Sequence, residues 1–190
     1  MAAGVAAGLL CIAAMALPAE PFRLTEWLAA APVPRFNLVD VNHVRRRAAD
    51  YRGRVSIVVF GFTECPDVCP GELNKLALIV RRMGSLGSHV QVLFVTLDPE
   101  HDTPERLKAY VAAFDPRFVA LTGSAAEVNQ AAASFSVQFA KVLQGHASTI
   151  DHSTGIYVLD QTGRLRLIGT RETRIDDFVH DLDILVAGSN

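Results

Sequence analysis

Cysteine is scarce in this chain, which has three in 190 residues: Cys11, Cys65 and Cys69. A small fold stapled by many disulfides is thereby excluded. The chain, half of it apolar, is instead long enough to bury the core of one domain. Net charge is also small, −2 in all, so there is no overall basic field and nucleic acid is not an expected partner. The one dense basic run, Arg45-Arg46-Arg47, is broken by Ala48-Ala49-Asp50 and reads as a solvated surface turn, with a phosphate or lipid contact as the alternative. Internal repeats and low-complexity tracts are missing. Proline is absent beyond Pro116, glycine is absent from Val41 to Arg52, and no lysine or arginine precedes Arg23.

The last absence shapes the reading of the start. Residues 2–19, AAGVAAGLLCIAAMALPA, carry no charge and have the make-up of an export signal or a short membrane anchor. Ala14-Met15-Ala16 offers a cleavage site, and only the α-amine of Met1 supplies positive charge. The lack of early arginine disfavours a mitochondrial transit peptide. The expectation is a bacterial protein of the inner membrane whose domain faces the periplasm. Cys11 falls inside this leader as a small hydrophobe. Residues 20–35, with Pro21, Pro32, Pro34 and Trp27 and little periodicity, read as a tether, and the domain is expected over 36–190.

What is present inside that domain is alternation. VSIVVFGF (55–62) and VQVLFVTLD (90–98) are continuous apolar runs of the kind that form strands buried on both faces. After Pro70, the spacing of Leu73, Leu76, Ala77, Val80 and Met83 predicts a helix. Thr103-Pro104 predicts another helix start, with a cap followed by proline at the first helical position. FVALTG (118–123) is a third strand, and Ser124 with Glu127 forms a capping-box signature. Residues 137–142 and 156–160 read as short strands, DQTG (160–163) turns the latter into RLRLIG (164–169), and a helix with apolar positions from Ile175 to Val186 closes the chain. The fold class is therefore α/β, a central mixed sheet flanked by helices. Such sheets bind ligands beyond the carboxyl ends of their parallel strands.

Cys65 and Cys69 lie at such an end, in GFTECPDVCP (61–70). At four residues' separation across a helix start, their Cα atoms would be about 6 Å apart, within disulfide range and equally suited to two thiolates on one ion. A neighbouring helix N-terminus would draw the pair toward the thiolate form. Spacing alone leaves redox couple, cross-link and half of a metal site open, although a loop this small gains little from a cross-link. Asp98 ends the neighbouring strand and converges on the same turn, where it also reads as a turn former. His152, in TIDHSTG, precedes the 156–160 strand. His43, His89, His101, His146 and His180 read as surface residues.

The segments FGFTECPDVCP, VTLDPEHDTPERLKAYVAAFDPRFVALTG and DHSTGIYVLDQTGRLR, in that order, resemble the successive signatures of the Sco/SenC family of copper-binding proteins, and the similarity runs from about Phe36 to the C-terminus. The resemblance implies a thioredoxin-like domain held outside the membrane that delivers copper to subunit II of cytochrome c oxidase. It implies Cys65, Cys69 and His152 as copper ligands, with Asp98 in a supporting or weak axial role. The loop before the 156–160 strand, where disulfide-exchanging relatives of that fold place a cis-proline, has a histidine instead. Two thiolates and an imidazole suit Cu(I), and the same set with an added oxygen suits Cu(II). A structural zinc site would want four protein ligands, whereas a catalytic zinc with bound water could use these three. Relatives also form a glycine-turned hairpin where this chain has VNHVRRRAADYR (41–52).

Two functions follow. One is a non-enzymatic metallochaperone that passes copper to an oxidase subunit or another apo copper protein. The other is a thiol:disulfide oxidoreductase in which Cys65 and Cys69 reduce that partner's cysteines, supplied by a thiol reductant. Peroxide reduction lacks its motif, because Thr63 stands two places before Cys65 rather than three.

Overall fold

Two seven-residue runs build the centre. In the computed structural model, which describes residues 21–27, 33–144 and 147–188, β4 (Val55–Gly61) and β5 (Val90–Thr96) are buried along their whole length and pair in parallel, Val55 with Val90 through Gly61 with Thr96. Their alternating side chains feed two cores. Val55, Ile57 and Val59 join α1 (Val68–Arg82), α2 (Pro104–Ala112) and α4 (Ile175–Ala187), while Val58 and Phe60 join α3 (Ala125–Ser134). This two-sided burial explains why both strands are continuously apolar.

Around them the sheet is completed by β1 (Thr25–Glu26), β2 (Asn37–Asp40), β3 (Arg45–Arg47), β6 (Val119–Thr122), β9 (Ile156–Leu159) and β10 (Leu165–Gly169), in the order β1-β10-β9-β4-β5-β6-β2-β3. Only β4, β5 and β6 run parallel; the outer pairings are antiparallel. Both helix starts expected from sequence are formed. The Thr103 hydroxyl accepts from the Arg106 N–H, and Ser124 and Glu127 exchange the reciprocal bonds of a capping box.

Three elements differ from expectation. Residues 22–27 of the stretch read as a tether dock on the domain. Leu24 is buried, and the N–H groups of Arg23 and Leu24 donate to the carboxylate of Asp181, which is itself fully buried on α4. Arg45-Arg46-Arg47 is an edge strand rather than a turn. Its hairpin partner β2 is reached without glycine: His43 takes the positive φ of 60°, and the Asp40 carboxylate accepts from the N–H groups of Asn42 and Val44. Finally, residues 137–142 do not enter the central sheet. β7 (Phe139–Gln144) pairs with an unforeseen β8 (Ala147–His152) as a separate two-stranded ribbon, so His152 ends a strand. The leader, Cys11 and His146 lie outside the described residues. Among the described residues no helix is long and apolar enough to cross a membrane.

Candidate metal centre

The cysteine turn begins where β4 runs out. The last strand position, 61, is glycine because a Cβ there would stand 2.7 Å from the Cys69 sulfur and 3.1 Å from the Phe94 ring. The missing side chain lets Cys69 pack against the sheet. Beyond Gly61, Thr63 fastens the loop: its N–H and hydroxyl both donate to the buried carboxylate of Asp102, which also accepts from the Thr96 hydroxyl. One carboxylate thus ties the cysteine loop to the end of β5. The Cys65 N–H donates to the Phe62 carbonyl at 3.2 Å, and α1 starts at Val68, placing Cys69 in its first turn.

The two cysteines are free thiols in unequal settings. Cys65 is half-buried, whereas Cys69 is 2% exposed, and the Cys69 N–H lies 3.4 Å from the Cys65 sulfur. Burial pushes the Cys69 thiol up, with Cys65 and Glu72 adding to the shift. For Cys69 this reverses the simple expectation that a helix start draws a sulfur toward thiolate, because desolvation is the larger effect there.

His152 reaches the same end of the sheet. Its ring stands edge-on to Phe62, with centroids 6.4 Å apart and planes at 79°. Its Nδ1 is 3.1 Å from the Ser153 carbonyl oxygen. A carbonyl only accepts, so Nδ1 carries the hydrogen, which makes Nε2 the ring nitrogen that could meet a metal. The donor atoms of Cys65, Cys69 and His152 are nevertheless not gathered within 4.8 Å of one another. Among the described residues the only trio that meets this spacing is Asp98, Glu100 and His101.

Asp98 is buried and stands beside the turn in a role partly legible in sequence. Its carbonyl accepts from the His101 and Asp102 N–H groups, forming the approach to α2. Its carboxylate lies 2.8 Å from His101 Nδ1, while the Lys141 ammonium of β7 stands 3.5 Å from the other oxygen and pairs with Glu100 at 2.6 Å. The 3.5 Å approach lacks hydrogen-bond geometry, and that Asp98 oxygen has no hydrogen-bond partner. His101 is exposed as expected, but its ring serves Asp98. His180 departs from expectation: its side chain is 17% exposed and its Nδ1 is 2.8 Å from Asp181. Sequence reasoning passed over Asp102, His101 and Lys141. The i, i+3 step from Asp98 signalled His101, whereas nothing local signalled Lys141.

A buried acid sits one turn beyond Cys69. Glu72 is 4% exposed, one of its oxygens has no hydrogen-bond partner, and burial pushes its carboxyl up to about 7 from an ordinary 4.5, against the pull of Lys75 and Arg171. A carboxyl whose folded pKa is raised holds its proton more tightly in the native state. Stability from this group is therefore fully present below about pH 4.5 and is lost as pH rises to about 7, by up to roughly 3 kcal/mol. Glu72→Gln should flatten that decline in denaturant midpoints measured across the window. An unchanged slope would assign it to other groups.

The SCO1/SenC family model matches residues 27–187. An SCO2-like protein of Rickettsia prowazekii is 38% identical over 132 residues, 68% of this chain and 64% of that protein. The mitochondrial SCO2 homolog of Homo sapiens is 40% identical over 160 residues, 78% of this chain and 60% of that protein. The match thus spans less than two thirds of these relatives' length. Among solved structures, apo Sco1 of Thermus thermophilus superposes with a TM-score of 0.78 at 34% identity, covering 88% of this chain and 99% of that one. Copper-bound ScoI of Bradyrhizobium japonicum gives 0.73 at 32% identity, covering 80% and 97%. The mixed sheet with helices on both faces is thus the thioredoxin-like fold of these proteins, and the chain belongs to the SCO1/SenC family.

Proposed function

We propose that the chain is a copper chaperone that carries its cargo on Cys65, Cys69 and His152 and hands it to the copper site of a respiratory oxidase subunit. The observation that supports this most directly is the donor set: two free thiols on one strand-to-helix turn, with an imidazole whose Nδ1 faces the Ser153 carbonyl carried to the same end of the sheet. Two soft sulfurs and one imidazole nitrogen match the preferences of Cu(I), and copper bound to a relative of the same fold agrees with that chemistry.

In this reading Cys65, the more exposed sulfur, is the first ligand an acceptor thiolate can replace, and Cys69, held against Gly61, leaves last. Each exchange swaps one copper–sulfur bond for another, so no electron moves. The turn becomes a dithiol again when the acceptor's protons arrive. The uncharged leader supports an exchange on the outer side of a bacterial inner membrane.

A second reading has its own observation. The half-exposed Cys65 and buried Cys69 are the arrangement of an attacking and a resolving thiol. The pair would then reduce the acceptor's disulfide before metal loading and would be reduced in turn by a thiol partner. Anaerobic titration of the fully reduced protein with Cu(I) against a chromophoric chelator tests the choice. One copper per chain is expected. No uptake, with active reduction of a protein disulfide, would leave the oxidoreductase reading in its place.

A further inference from the structure

At the end of the sheet opposite the cysteines, the strands begin rather than finish. Arg54 precedes β4, Gln91 lies at the start of β5 and Arg117 precedes β6, whereas Cys65 follows the other end of β4. Between these strand starts, the β2–β3 hairpin and the last turn of α2 lies a cleft of about 680 Å³ whose lining includes Arg46, Arg52, Arg54, Lys108 and Arg117. Five cations share one concave surface in a protein whose net charge is −2. Charges gathered in a cleft reinforce one another's field, whereas scattered surface charges are largely screened.

Three of the guanidinium groups are held in place by buried partners. Arg46 Nε is 2.8 Å from the carboxylate of Asp40, Arg117 makes bonds of 2.9 and 2.7 Å to Asp115, and Arg54 donates at 3.2 Å to the side-chain oxygen of Gln91. Asp40, Asp115 and Gln91 are all buried. A guanidinium has five N–H donors. These bonds engage one on Arg46, one on Arg54 and two on Arg117, so each keeps most of its donors. Arg52 and Lys108 are exposed and make no side-chain hydrogen bond or ion pair among those described. The Tyr51 hydroxyl, which also belongs to the lining, is buried with no hydrogen-bond partner. Against the five cations stand Asp40 and Asp50 in the lining and Asp115 behind Arg117, leaving the cleft positive.

We infer that this cleft is a binding site for a multivalent phosphate group, separate from the cysteine turn and independent of the copper reading. Pre-positioned arginine forks match the paired oxygens of a phosphate, and Lys108 adds a mobile point charge. Such a group can belong to a soluble phosphorylated compound or to an anionic lipid headgroup.

The test uses the whole protein with two probes: sodium pyrophosphate by calorimetry at low ionic strength, and co-sedimentation with phosphatidylglycerol or phosphatidylcholine vesicles. Pyrophosphate is expected to bind at one site. Arg52→Glu with Lys108→Glu should weaken it at least about tenfold, because two of the converging charges are reversed. Arg35→Glu with Arg106→Glu changes net charge equally away from the cleft and should leave binding within about twofold, since distant exposed charges are screened. Both pairs are exposed, and circular dichroism checks that both variants fold. Binding to phosphatidylglycerol vesicles alone, with the same dependence on the variants, assigns the phosphate to a lipid. The inference is overturned if neither probe binds, or if the control pair weakens binding as much as the cleft pair does.

Discussion

Serine in place of Cys65 or Cys69, or alanine in place of His152, is expected to weaken copper binding by more than about 100-fold in each case, since loss of a mere hydrogen-bond partner of a ligand already costs 10–100-fold. The three changes should not look alike. Cys69→Ser removes a sulfur packed close to Gly61, so the variant also loses packing and leaves a hydroxyl at a buried position. Cys65→Ser, at the half-buried sulfur, should leave stability nearly unchanged while losing copper. His152→Ala leaves two thiolates, enough for a linear Cu(I) complex, so its effect should be greatest on Cu(II). Competition titrations with chelators specific for each oxidation state read all three. Unchanged affinity in His152→Ala would move the imidazole elsewhere, and His101, 2.8 Å from Asp98, would then be the first residue to test.

Oxidising the pair should abolish copper uptake altogether. Forming the Cys65–Cys69 disulfide removes two electrons and two protons from the dithiol, which an added oxidant such as diamide accepts, and the product has no thiolate to offer. Bound copper should in turn protect both cysteines from iodoacetamide. The reduced protein should reduce insulin at least about tenfold more slowly than thioredoxin does, because exchange depends on access to the attacking sulfur and on its thiolate fraction. Cys69 is buried and Cys65 only partly exposed, and burial pushes the Cys69 thiol up, which lowers its thiolate fraction. Insulin reduction at thioredoxin-like rates, with no copper taken up when fully reduced, would overturn the chaperone reading.

The parts of the fold legible in the sequence were those with a local cause. β4 and β5 announced themselves because burial on both faces demands unbroken apolar runs, and α2 and α3 because Thr103-Pro104 and Ser124-Glu127 carry their own capping bonds. The cysteine turn was legible for the same reason, as strand and helix meet there. The docking of residues 22–27 was not, since the Arg23 N–H finds its acceptor 158 residues away on Asp181. The β2–β3 turn was hidden because the positive φ usually supplied by glycine is taken by His43, with the Asp40 carboxylate securing the loop. The β7–β8 ribbon escaped notice because β8, ASTIDH, has the buried Ile150 among polar residues and so shows little apolar alternation. His152 was therefore singled out by its place before the 156–160 strand and by the family resemblance rather than by the pattern of its own strand.

The separateness of that ribbon gives the site a dependence on ionic strength. Among the described residues, its strands hydrogen-bond to each other and to no strand of the central sheet. What secures it is the packing of Ile150 and Phe139 against the core, together with the Lys141 ammonium lying between Glu100 and Asp98. Half-exposed pairs of this kind contribute about 0–1 kcal/mol and are screened as salt rises above the ~0.1 M range. In the copper reading proposed above, any movement of the ribbon that brings Nε2 of His152 toward the sulfurs is work subtracted from the affinity of the assembled site. Added salt, by loosening the lysine clamp, lowers that work. The rate of metal capture should therefore rise with salt, opposite in sign to the slowing expected for simple attraction between a cation and an acidic protein.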